Sequence, residues 1–199
     1  MRGQLKKLFL LCIASLLASG IAAANPIETI VFIRHAEKST QDLGQLNCQG
    51  LNRSLKIPNY LQQHFPKPDF IFAPDPAVKN LGYSYVRPLA TIEPTAIQLN
   101  MPVNTEIGYN QPDQLMQTLL QMQYHPAVIY VAWEHVNILK VANLLFSQFD
   151  VLAPANLQWD ANNYDQVFVF TIDWGKKPTA LRFDETTEGL NHMAMECPQ

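Results

Sequence analysis

The chain has 199 residues, of which 48% are hydrophobic and 16% charged, and its formal net charge is -3. That suits one domain with a real core and excludes a disordered or fibrous protein. Lys and Arg form no run after Lys7, so non-specific nucleic-acid binding is not expected.

Residues 1–24 read as a signal peptide: a positive head of Arg2, Lys6 and Lys7, an apolar stretch from Leu8 to Leu17 broken only by Ser15, and the small residues Ala22, Ala23 and Ala24. The apolar run is short for a membrane span, and a retained N-terminal anchor is the alternative. Cleavage after Ala24 removes three of the 14 Lys and Arg and none of the 17 Asp and Glu, leaving -6. The expectation is a periplasmic or secreted protein with no membrane association after cleavage. Cys48 and Cys197 would be the remaining cysteines. In an oxidising compartment an even pair invites a disulfide, which would pin the C-terminal tail beside the loop that leads to Arg53.

A short apolar run predicts a buried strand over 27–33. Apolar positions at Leu51, Leu55, Tyr60 and Leu61 predict a helix over 51–65, interrupted at Pro58. A second strand, 69–73, ends at Pro74-Asp75-Pro76. Residues 87–99 read as a helix with Pro94 inside it, and 102–105 as a short edge strand. An amphipathic helix over 111–121 has Pro112 in its first turn. Then come a strong strand over 127–133, a helix over 137–149, a strand over 167–174, and 179–183 as its hairpin partner. Strands alternating with helices predict an α/β fold: a single three-layer α/β/α domain over 25–199, with a mostly parallel central sheet and helices on both faces.

The chemistry concentrates where strands end. The first strand runs into Arg34-His35-Ala36-Glu37, and buried charge is costly unless paired, so these residues belong at the strand's C-terminal edge. Open α/β sheets bind ligands at that edge. A histidine there can act as a nucleophile, and an adjacent arginine can clamp phosphate oxygens. The strand over 127–133 delivers Glu134 and His135 to the same edge. Arg53 and Arg87 each start a helix that follows a strand, where the helix dipole also favours an anion. Tyr83, Tyr85 and Tyr109 either pack or line an entrance. His35 and His135 lack a third ligand at a recognised zinc spacing, so neither metal nor cofactor is expected.

Arg34-His35-Ala36-Glu37 resembles the Arg-His-Gly-Glu signature of the histidine phosphatase (phosphoglycerate-mutase-like) superfamily, with Ala36 for glycine. Cys48-Gln49-Gly50-Leu51-Asn52-Arg53 resembles the family's Gly-containing segment before a second arginine. Arg87-Pro88-Leu89-Ala90-Thr91 resembles the third arginine with its following Thr, and His135 resembles the second histidine. The resemblance covers residues 27–150 and implies a phosphatase. His35 would become phosphohistidine while Arg34, Arg53, Arg87 and His135 bind the phosphoryl group of a small phosphorylated substrate. The arginine field would depress the pKa of His35, and a backbone carbonyl would fix its tautomer. The leaving-group acid stays open among Glu106, Glu134 and no residue. A mutase-type phosphotransferase and a catalytically weak phospholigand-binding module are the alternatives; oligomeric state is not legible.

Overall fold

A computed structural model describes residues 26–199 of the chain; the expected signal peptide lies outside the described residues. The first strand, β1 (Ile27–Arg34), is apolar on both faces, as a central strand covered on each side must be. It lies between β5 (Val128–Trp133), its parallel neighbour, and β6 (Gln166–Asp173), its antiparallel one. β2 (Phe70–Phe72) pairs parallel with β5, and β7 (Ala180–Thr187) pairs antiparallel with β6. The sheet order is β2-β5-β1-β6-β7, so every strand but β6 points the same way.

Period-two alternation sorts the strand side chains into two layers. Ile30 and Phe32 of β1, Ile129 and Val131 of β5, and Phe168 and Phe170 of β6 face one core. That core is closed by α4 (Pro112–Leu119) through Leu115 and Leu119, and by α5 (His135–Gln148) through Ile138, Val141 and Leu145. Their neighbours Val31, Ile33, Tyr130, Ala132, Val167 and Val169 face the other core. It is covered by α2 (Ile57–His64) and α3 (Arg87–Leu99), with α1 (Cys48–Ser54) packed on α3. The architecture is the expected three-layer α/β/α arrangement.

Local differences have local causes. The interrupted helix over 51–65 is two helices, because Pro58 sits in the first turn of α2, where a missing N–H costs nothing. Pro94 lies inside α3, which runs its full expected length. The expected edge strand over 102–105 is reduced to a single bridge between Asn104 and Phe72. A hairpin of β3 (Lys79–Asn80) and β4 (Tyr83–Ser84) was not foreseen; it turns at Leu81 and Gly82, both with positive φ. Gly50 is required by close approach: a Cβ there would lie 2.3 Å from the carbonyl oxygen of Glu37.

Candidate active site

β1 and β5 end side by side, with Arg34 in register with Trp133, and the His35 N–H donates to the Trp133 carbonyl at 2.8 Å. This pairing carries both strand-end histidines to one edge of the sheet. A cavity of about 350 Å³ opens there, lined by Arg34, His35, Arg87, Glu134 and His135 among others.

His35 is almost fully buried. Its Nδ1 lies 2.8 Å from the Ala36 carbonyl oxygen, which can only accept, so Nδ1 carries the proton and Nε2 the lone pair. Burial pulls the imidazole down to about 3, and the Arg87 and Arg34 charges add to it. Desolvation, more than the expected arginine field, keeps this ring neutral. The Ala36 N–H donates to Thr91 Oγ1 at 2.9 Å, and Thr91 Oγ1 donates to the Arg87 carbonyl, so α3 fixes the turn that carries His35.

Arg34 is held by the loop before β6. Its Nη1 donates to the carbonyls of Ala161 at 2.8 Å and Asn163 at 2.9 Å, and its guanidinium lies 3.8 Å from the Tyr164 ring centre. Burial lowers its pKa, opposed by Tyr164 and Glu134. Arg87, the first residue of α3, lies over Tyr85, whose ring stacks on Tyr109 at 4.3 Å. Its Nη1 pairs with Asp42 Oδ1, and Asp42 Oδ2 receives Lys38 Nζ at 2.6 Å. The buried Nε of Arg34 and of Arg87 have no hydrogen-bond partner among the described residues.

Glu134 is the N-cap of α5, accepting from the N–H groups of Val136 and Asn137. Burial pushes its carboxyl up, but the His135 ring 2.7 Å away and these two N–H donors overcome that and pull it to about 2. An ionised N-cap suits a residue that orients His135 and does not suit a proton donor.

Two expected site residues lie elsewhere. Arg53 does not line the cavity. Its guanidinium is fully buried among carboxylates: Glu37 at 2.7 Å, Asp165 at 3.1 Å and Glu188 at 2.7 Å. The physical reason is charge balance, since three acidic side chains converge on one cation and leave it nothing for a phosphate. Burial pushes the Glu188 carboxyl up to about 8, against the pull of Arg53. Glu106 is exposed and lines a separate hollow with Gln114 and Thr118 of α4. The Asn104 N–H donates to Ile71, which seats this segment on edge strand β2, two strands away from β1.

Sequence reasoning missed Lys38, Asp42 and Tyr164, which all line the cavity. Each sits in a polar loop whose course only the fold decides. Of the three tyrosines singled out, Tyr85 and Tyr109 line the cavity and Tyr83 is exposed. Among the described residues no group of three or more His, Cys, Asp or Glu side chains could hold a metal ion. None of the described helices is long and apolar enough to cross a membrane.

Cys48 and Cys197 are bonded, 149 positions apart. The tail is further held by Asn52 Nδ2, which donates to the carbonyls of Ala194 at 2.9 Å and Glu196 at 2.7 Å.

No family model and no curated protein matches this sequence. Solved structures do resemble the fold. One is SixA from Nakamurella multipartitia, a candidate phosphohistidine phosphatase: TM-score 0.54 and 14% identity, covering 79% of this chain and 95% of that one. Another is phosphoglycerate mutase from Plasmodium falciparum: TM-score 0.53 and 13% identity, covering 88% and 99%. A third is a mutant phosphoserine phosphatase from Entamoeba histolytica in complex with phosphoserine: TM-score 0.51 and 12% identity, covering 84% and 100%.

Proposed function

We propose that this chain, which carries the fold of the histidine phosphatase superfamily, is an exported phosphatase that hydrolyses phosphomonoesters through a phosphohistidine on His35. One observation carries the reading: a buried, neutral imidazole whose Nδ1 is tied to a backbone carbonyl, in a cavity shared with two arginines and a second histidine. A nucleophile must present a lone pair, and at neutral pH this ring does so without first losing a proton.

Arg34, Arg87 and His135 bind the phosphoryl oxygens. Nε2 of His35 attacks phosphorus in line with the departing ester oxygen. Water then attacks the phosphohistidine and releases inorganic phosphate. Positioning and charge stabilisation are the main tasks in phosphoryl transfer, and rigidly held guanidinium groups supply both. Arg34 is held by two backbone carbonyls, so little ordering is left for the moment of binding. The Cys48–Cys197 bond supports export, since such bonds persist in oxidising compartments.

The test is steady-state hydrolysis of aryl phosphates with the wild-type chain and His35→Ala, with a glycerate or sugar phosphate added as acceptor. Phosphate release that disappears in the variant, without transfer to the acceptor, is the expected outcome. Transfer would make the chain a mutase-type phosphotransferase, and phosphate binding without turnover would make it a binding module.

A further inference from the structure

We propose that Asp42 is the group that protonates the leaving alcohol in this reaction, an assignment that rests on the phosphatase reading above. Among the described residues two carboxylates line the cavity, Asp42 and Glu134. Glu134 is committed as a helix cap: it accepts from two backbone N–H groups and from Asn137 Nδ2 at 2.9 Å, and His135 lies against it. Carrying a proton would break the cap of the helix that presents His135.

Asp42 is held differently. Among the described residues its carboxylate meets two side chains, Lys38 and Arg87, and no backbone donor. It stands on the same guanidinium that the phosphoryl group would use, at the cavity wall, and keeps 21% of its side chain exposed. Its backbone is left-handed, φ 51°, a conformation that aspartate tolerates better than most residues. The loop thus places a carboxylate at the cavity wall, paired with Arg87.

Substrate binding changes the balance around this carboxylate. Lys38 and Arg87 hold it ionised, overcoming its partial burial. A bound phosphoryl group takes Arg87 away and places a dianion beside it. Losing a cation and gaining an anion both favour the protonated form. The carboxyl then donates its proton to the ester oxygen as the P–O bond breaks and the His35 Nε2–P bond forms. In the second half, the Asp42 carboxylate takes a proton from water as the water oxygen attacks phosphorus and the N–P bond breaks. The proton that Asp42 carries is taken from solvent as the phosphate ester binds. The first half passes it to the alcohol and the second restores it from water. It returns to solvent when phosphate leaves and Arg87 pairs with Asp42 again, so that ester and water enter and alcohol and phosphate leave.

The experiment compares wild type, Asp42→Asn and Asp42→Glu on 2,4-dinitrophenyl phosphate, whose leaving group needs no proton, and on phenyl phosphate, whose leaving group does. Asp42→Asn should lower kcat/KM on phenyl phosphate by about 100-fold, within the range of general acid catalysis, and on dinitrophenyl phosphate by about tenfold at most. Asp42→Glu should regain part of the phenyl phosphate activity. Retained dinitrophenyl phosphate turnover shows that the variant is folded. Equal losses on both esters would overturn the assignment, as would a gain on both, which would mean that Asp42 only competes with substrate for Arg87. A wild-type chain that hydrolyses neither ester would sink the phosphatase reading, and Asp42 with it.

Discussion

The Nδ1 of His35 and the carbonyl oxygen of Ala36 lie 2.8 Å apart, and this contact between adjacent residues selects the nitrogen that faces the cavity with a lone pair. The same ring is pulled to about 3 by burial and by Arg87 and Arg34. An ordinary histidine would be half charged near pH 6.5. His35 should therefore stay neutral, as the Nδ1–H tautomer, at pH 5. Nitrogen-detected NMR of the histidine rings checks this. An imidazolium signal assigned to His35 at pH 5 would mean that the ring is not desolvated as described.

Arg53 should matter for stability more than for catalysis. Replacing it with Met removes the cation that pairs with Glu37, Asp165 and Glu188. Breaking a buried charge arrangement from one side costs about 3–5 kcal/mol. Denaturant midpoints should fall accordingly, while kcat/KM of the folded fraction stays within about threefold of wild type. Normal stability with abolished activity would return Arg53 to the phosphate shell.

Glu28 offers a test of pH dependence away from the site. It is fully buried in β1, its Oε2 accepts from Trp174 Nε1 at 2.7 Å, and its Oε1 has no partner among the described residues. Burial pushes its carboxyl from 4.5 up to about 7. Between those values the folded state keeps a proton that the unfolded state has released. Its contribution is therefore complete below about pH 4.5 and is lost as the pH rises through about 7, amounting to about 3 kcal/mol. Glu28→Gln, which keeps an acceptor for Trp174, should flatten this slope in denaturation measured from pH 4.5 to 8. An unchanged slope would assign it to other groups.

The tail is tied to the body of the protein at Cys48–Cys197 and at Asn52. Closing so long a loop restricts the unfolded chain, an effect worth up to ~5 kcal/mol in the chain-entropy account. Reduction should lower the thermal midpoint, and peptide mapping without reductant should recover the Cys48 and Cys197 peptides linked. Separate peptides would remove this restraint.

The order of strands and helices was legible because each buried strand is a short apolar run, and each covering helix repeats its apolar residues at helical spacing. Arg34, His35 and His135 were legible for the same reason: polar residues that abruptly end apolar strands must sit at an edge. Arg53 misled because its deciding partners, Asp165 and Glu188, are 112 and 135 positions away in the chain. Local sequence cannot show that a helix-start arginine faces buried acids and not a ligand. Glu106 misled because one bridge, Asn104 to Phe72, seats its segment on the far edge of the sheet. Asp42 was invisible because nothing in a polar loop reveals where its backbone turns left-handed.

Whether His35 carries the phosphoryl group is read by rapid acid-free quenching with a radiolabelled phosphate ester. The expected result is a phosphoenzyme that is stable to alkali and labile to acid, mapped to the peptide containing His35 and absent from His35→Ala. A label that persists in His35→Ala, or a wild-type chain that turns over the ester without ever accumulating or exchanging label on His35 under single-turnover conditions, would contradict it.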